Sequence, residues 1–294
     1  MIKLIACDMD GTLLNSHHNL SDANVLAIQS AIRSGIRFLI ATGRDYDNVI
    51  NILEKSDIHC GCILLNGAQY IDEQGILVEQ IPLDSKQIEM IYNEFEKSHL
   101  YHEIICGNEV FSPQSIATLA LDFRQRLRIS GKISEQELDC LLFDNPFLNR
   151  IKKIDSVQDL LKKDLTVLKM EAFKYRSEEI EMVRSVLKGN DNINVSSSFA
   201  NNIEVTSLHA SKGEMLEKVI ARFGFVQNEI MVIGDSDNDI SMANRFPNSV
   251  AMRNASAPLR KASTMITDSN DDDGVARIIF RTIEQNKKLK NFNY

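Results

Sequence analysis

Apolar residues along this chain fall into short runs that stop abruptly at polar residues and glycine. Ile2 to Cys7 is the first such run, cut off by Asp8-Met9-Asp10-Gly11, and a continuous apolar stretch of this length predicts a buried strand. From Ser21 the spacing changes: Val25, Ile28, Ala31 and Ile32 recur at helical intervals as far as Gly35. Arg37 to Ala41 predicts a second strand, stopped by Thr42-Gly43-Arg44. Val49, Ile50 and Leu53 predict a helix, and Cys62 to Leu65 a third strand ending at Asn66-Gly67. Strands alternating with helices in this way predict a parallel sheet covered by helices.

Beyond about Pro82 the texture differs. Ile88, Ile91, Tyr92 and Phe95 predict a helix, Gly107-Asn108 a hairpin turn, and Leu165 to Phe173, Ile193 to Ser198 and Ile203 to Val205 further strands. Helices mixed with hairpins suggest an α+β unit with an antiparallel sheet. The parallel alternation then returns, with a helix at Gly213 to Arg222, a strand at Ile230 to Ile233, a helix at Asp237 to Ala243, a strand at Val250 to Met252 and a last helix from Gly274 to Gln285. The expected architecture is α/β: a Rossmann-like parallel-sheet core formed by residues 1–82 and 207–294, interrupted by an inserted α+β unit at 83–206.

Composition narrows the function. At 294 residues, with 44% hydrophobic and 25% charged, the chain can bury a sizeable core. A net charge of −8 argues against nucleic acid or an anionic membrane as partner, since both need clustered Lys and Arg. The apolar runs fall far short of the roughly 20 residues that span a bilayer. The N-terminal run lacks the apolar region and cleavage site of a signal peptide. Five cysteines (Cys7, Cys60, Cys62, Cys106, Cys140) form no C-x-x-C pair, which suits reduced thiols and a cytoplasmic protein.

Three of the core strands end in chemistry: Asp8-Met9-Asp10, Thr42-Gly43 and Gly234-Asp235. In open α/β sheets ligands bind at the carboxyl ends of the strands. If these strands are neighbours, their carboxylates converge and repel, and oxygen ligands without histidine call for Mg²⁺ rather than zinc or copper. Each segment alone also reads as an ordinary turn or as a helix N-cap. A calcium loop fails at Asp235-x-Asp237-x-Asp239, where Ile240 and Phe246 replace the required Gly and Glu, and no register of Asp268 to Asp273 supplies both. Lys212 opens a predicted helix behind Ser211, with Glu214 completing an S-x-x-E capping box; a Lys at a helix N-terminus suits an anion.

Asp8-Met9-Asp10-Gly11-Thr12, Thr42, Lys212 and Gly234-Asp235-Ser236-Asp237-Asn238-Asp239 together resemble the four motifs of the haloacid dehalogenase superfamily, in order and spread over the whole chain. Leu65-Asn66-Gly67-Ala68, Ala210-Ser211-Lys212-Gly213 and Ser269 to Ala276 further resemble the Cof-type hydrolases, which carry a large type IIB cap. The chain departs from that pattern at Ser236, where the family usually has Gly, and at Arg253-Asn254-Ala255, where it usually has Gly-Asn-Ala.

The resemblance implies an Mg²⁺-dependent phosphatase acting on small phosphorylated metabolites such as sugar phosphates. Asp8 would be the nucleophile and Asp10 the acid and base. The metal would be held by Asp8, the Asp10 carbonyl and Asp235, with Asp239 ordering its water. Met9, Thr42, Gly43, Lys212 and Asn238 would bind phosphate. Arg44 and Asn66, at strand ends, are candidates for substrate contact. Phosphosugar transfer between positions and a catalytically silent phosphate-binding module are the alternatives; the second would be marked by a lost motif residue, and none is lost.

Overall fold

The computed structural model describes residues 1–130, 146–174, 177–197 and 201–292. These fall into two compact units, Met1–Gln80 with Ala210–Tyr294, and Ile81–His209. Among the described residues no helix is long and apolar enough to cross a membrane.

The first unit starts with β1 (Leu4–Cys7), every residue of which is buried. Helix α1 (Asp22–Arg33) follows, capped by Ser21, whose side chain accepts from the Asn24 amide. Next come β2 (Arg37–Ala41), α2 (Tyr46–Glu54), β3 (Gly61–Leu64), and a hairpin of β4 (Gln69–Ile71) and β5 (Leu77–Gln80). Buried Asn24 fastens this half to the chain's far end: its side chain donates to Leu13 O and accepts from the Ala276 amide.

The second unit holds α3 (Ser85–Lys97), β6 (Tyr101–Cys106), β7 (Glu109–Ser112), α4 (Ile116–Ser130), β8 (Ile151–Lys153), β9 (Lys169–Phe173), α5 (Ser177–Lys188), β10 (Ile193–Ser196) and β11 (Asn202–Ser207). The first unit then resumes with α6 (Lys212–Phe223), β12 (Ile230–Gly234), β13 (Asn248–Ala251), β14 (Met265–Ile266) and α7 (Gly274–Phe292).

The sheet of the first unit runs β14-β13-β12-β1-β2-β3-β4-β5. Strands β14 to β3 are parallel, so β12, β1 and β2 lie side by side and point the same way. The all-parallel expectation needs correcting at one edge, because β4 and β5 join antiparallel. Their segments are short and weakly apolar, but their turn is readable: the Asp72 side chain accepts from the amides of Gln74 and Ile76. Asp237 to Ala243 also differs from the single helix predicted, being a 3₁₀ turn at Asp237–Asp239 followed by one helical turn.

The sheet of the second unit runs β10-β11-β9-β6-β7-β8 and is antiparallel except between β7 and β8. Its hairpin turns at Gly107-Asn108 between paired Cys106 and Glu109, where the sequence predicts it. Strand β9 is shorter than the predicted run, starting at Lys169, and β10 ends at Ser196; Ser198 and Cys140 lie outside the described residues. One face packs Ile104, Met170 and Val205 with Ile91 and Phe95 of α3 and Ile180 of α5. On another face Lys169 is buried between Glu171 (2.7 Å) and Glu204 (3.4 Å). Burial opposes the charge on Lys169, but the two carboxylates outweigh it and raise its pKa.

His102 sits with no exposed surface in this second core, its ring edge-on to Tyr92 at 5.1 Å and 5.5 Å from Phe95. Its Nδ1 lies 3.1 Å from Leu100 O, to which it donates, and its Nε2 has no partner among the described residues. Burial pushes its pKa down from 6.5 to about 4. The unfolded chain therefore takes up a proton first. As pH falls from 6.5 to about 4, stability drops, by up to roughly 3 kcal/mol. Chemical denaturation of the wild type between pH 7 and 4 should show this slope, and His102→Leu should flatten it.

Candidate active site

The strand ends meet as predicted. β1 lies between β12 and β2, so Asp8, Asp235 and Thr42 emerge from three neighbouring strands at one sheet edge. Asp8 is held in line by its amide, which donates to Ile233 O at 2.9 Å, and Thr42 by its own to Ile63 O at 2.9 Å. Carboxylate oxygens of Asp8, Asp235 and Asp239 lie within 4.8 Å of one another, and they are the one such acidic, His or Cys group among the described residues.

Lys212 is the counter-charge. Its ammonium has no exposed surface and donates to Asp8 Oδ1 at 2.6 Å and to Asp239 Oδ1 at 2.7 Å. Ser211 caps the helix that carries it, accepting from the Glu214 amide, while Glu214 pairs with Arg245. The backbone just before Lys212 passes so close to Gly67 that a Cβ there would lie 2.2 Å from Ser211 O; Gly67 also adopts φ +99°, which only glycine takes readily. Gly11 is similarly constrained, with φ +73° and Asp235 Oδ2 only 2.4 Å from where its Cβ would stand.

Asp239 is fully engaged: beyond Lys212, its Oδ2 accepts from the amides of Asp235 (3.0 Å) and Ser236 (3.1 Å). Asp235 Oδ1 accepts from the Thr12 hydroxyl at 2.9 Å, giving that motif residue a task. Burial, and then the neighbouring Asp239, push the Asp235 carboxyl up to about 6. Burial likewise raises Asp8, against the pull of Lys212. For Lys212 burial acts downward, but Asp239 and Asp8 outweigh it and its pKa rises. Fully ionised, the three carboxylates and one ammonium would carry a net charge of −2. All the ligand atoms are oxygens, which fits a hard divalent cation such as Mg²⁺.

Asp10 has a different setting two residues on. Arg44 grips it with a two-pronged contact, Nε to Oδ2 and Nη2 to Oδ1, both 2.6 Å, and His18 Nδ1 lies 3.4 Å from Oδ1. Burial acts to raise the Asp10 pKa, but His18 and Arg44 hold it well below the usual carboxylate range. Arg44 is thus engaged with Asp10, a contact the sequence pattern does not reveal, and its amide also donates to Thr42 Oγ1 at 3.2 Å. Asn66 Oδ1 accepts from Asn238 Nδ2 at 3.2 Å, so these two candidates contact each other. Met9 and Gly43 lie on the segments flanking Asp8 and Thr42, Met9 with its side chain buried. Thr12 and His18 are additions; Thr12 was legible as the last residue of D-x-D-G-T, whereas His18 has no sequence signal.

Comparison with known proteins shows the family. Residues 5–279 match the family model described as haloacid dehalogenase-like hydrolase, and the chain belongs to that family. It is 30% identical to the phosphatase YwpJ of Bacillus subtilis over 285 residues, covering 95% of this chain and 99% of that one. It is 29% identical over 281 residues to the B. subtilis 5-amino-6-(5-phospho-D-ribitylamino)uracil phosphatase YwtE, covering 95% and 97%. Among solved structures, a haloacid dehalogenase-like hydrolase from B. subtilis superposes with a TM-score of 0.84 at 30% identity, covering 95% of this chain and 99% of that one.

Removing one partner of a buried ion pair leaves an uncompensated charge, typically at a cost of about 3–5 kcal/mol. Lys212→Met should therefore lower stability by about that amount in metal-free buffer, as read by denaturant midpoint, with part of the loss recovered when MgCl₂ is added.

Proposed function

We propose that the chain is a magnesium-dependent phosphatase of small phosphorylated metabolites, sugar or polyol phosphates, working through an aspartyl-phosphate on Asp8. The observation that carries this reading is the crowding of Asp8, Asp235 and Asp239 around the buried Lys212 ammonium. A desolvated pocket that carries −2 when its carboxylates ionise is best satisfied by a divalent cation, and the cation together with Lys212 would suit a transferring phosphoryl group. Asp8, the Asp10 carbonyl and Asp235 would hold the metal, with Asp239 ordering its water. Bound there, Mg²⁺ would neutralise charge building on the phosphoryl oxygens.

The chain's own groups divide the remaining work. The Asp8 carboxylate attacks phosphorus as the bond to the leaving oxygen breaks, and Lys212 keeps that carboxylate aimed. Asp10 gives a proton to the leaving oxygen and then takes one from the water that hydrolyses the aspartyl-phosphate. To carry a proton it must leave the grip of Arg44 and His18, which would free the Arg44 guanidinium for a contact with substrate. Thr42 through its hydroxyl, Met9 and Gly43 through backbone amides, Asn238 through its side chain and Lys212 through its charge donate to phosphate; one such donor is typically worth about 3 kcal/mol.

Residues 83–206 serve in this reading as the type IIB cap that selects the leaving group. The ribityl chain in the name of one relative supports a polyhydroxylated leaving group. Retention of every motif carboxylate supports an enzyme over a silent binding module, and release of inorganic phosphate separates hydrolysis from transfer between sugar positions. Purified protein should hydrolyse p-nitrophenyl phosphate with Mg²⁺ and stop on addition of EDTA. Asp8→Asn should lose all measurable turnover with an unchanged circular dichroism spectrum; wild-type rates from this variant would remove Asp8 as nucleophile. Asp10→Asn should slow turnover by about 10²–10⁴-fold.

A further inference from the structure

One departure from the family pattern, Arg253, lies at a second cavity of the first unit, of about 310 Å³, built from residues that take no part in the carboxylate cluster. Three guanidiniums line it: Arg253, which follows β13, and Arg277 and Arg281, one turn apart on α7. Asp268 is the carboxylate of the lining. Nearly buried, it accepts from Arg253 Nη2 on Oδ1 and pairs with Arg277 Nη1 through Oδ2, so a single side chain holds two guanidiniums together. Arg281 has no hydrogen-bond or ion-pair partner among the described residues, and it is exposed.

This is a costly arrangement for a surface with no task. Like charges four residues apart on a helix repel by a few tenths of a kcal/mol. Three guanidiniums less one carboxylate leave the cavity at +2, on a chain whose net charge is −8. Each guanidinium has five N–H donors in a planar fork, and Asp268 engages one end of each of two of them. The remaining donors and the whole of Arg281 are left for an acceptor-rich partner. Guanidinium forks match tetrahedral oxyanions in two-pronged fashion. We propose that this cavity binds a compact oxyanion of charge −2.

Its position ties it to the catalytic loop. The Arg253 amide donates to Asp268 O at 3.3 Å, and Arg260 Nη1 donates to Arg253 O at 3.2 Å. The next residue, Asn254, donates from Nδ2 to Gly11 O at 2.8 Å and accepts from the Asn270 amide at 3.1 Å. The segment that would grip the anion is therefore the one that braces the loop after Asp10.

Inorganic sulfate, which is not hydrolysed, is the probe. Calorimetric titration at constant ionic strength in Mg²⁺-free buffer should show sulfate binding to the wild type. Arg281→Gln and Arg253→Gln should each weaken it by about tenfold or more, as expected for loss of a charged hydrogen-bonding group. Arg281→Gln should leave the melting temperature and the basal turnover of p-nitrophenyl phosphate unchanged. Equal sulfate affinity in the wild type and both variants would place any bound sulfate elsewhere and overturn the proposal; so would absence of binding to the wild type. Because the readout is binding, the result stands apart from whether Asp8 is the nucleophile.

Discussion

The buried ammonium of Lys212 is the interaction on which the carboxylate cluster at the strand ends depends. It joins residues that are 204 and 27 positions away in sequence, Asp8 and Asp239, and it does so with no exposure to water. Without it, three carboxylates from two segments, Asp8 after β1 and Asp235 and Asp239 after β12, would only repel one another. With it, they are drawn together but only partly neutralised. The backbone meets this demand at several points: Ser211 starts the helix at the right residue, Gly67 lets the chain before Lys212 pass, and the amides of Asp235 and Ser236 fix the far carboxylate.

Asp8 and Asp10 show how little sequence separates opposite chemistry. Asp8 faces a lysine shared with another carboxylate and is starved of water; Asp10 faces an arginine fork and a histidine. Environments that push two nearby carboxyls in opposite directions commonly mark a division of roles between them. Gly11, at φ +73° and packed against Asp235, then turns the chain immediately after Asp10.

Much of this was legible beforehand, because the features involved are local or periodic. Short apolar runs ending at Asp8, Thr42 and Asp235 announce strands with polar tips, and the α/β alternation places those tips at one edge. What the pattern does not carry is contact between side chains of adjacent strand ends. In the sequence Arg44 is a strand-end candidate for substrate contact, and only the neighbouring of β1 and β2 brings its guanidinium onto Asp10. His18 lies in a loop without period. The β4–β5 hairpin carries no such signal, because its strands have too few apolar residues to announce burial, although Asp72 marks its turn. Lys212 stands out in the sequence by the company of its motif, whereas its double contact with Asp8 and Asp239 exists only in the fold.

The central place of β1 bears on how the chain is made. Its partner β2 follows within about thirty residues, but its other partner, β12, begins only at Ile230, after the whole second unit has been synthesised. During translation the strand carrying Asp8 therefore has a bare, wholly apolar edge of the kind that invites pairing with other chains. The second unit, whose sheet is complete within Ile81–His209, can close on itself in that interval. The middle of the chain thus has all its sheet partners in hand before the first strand has its second one.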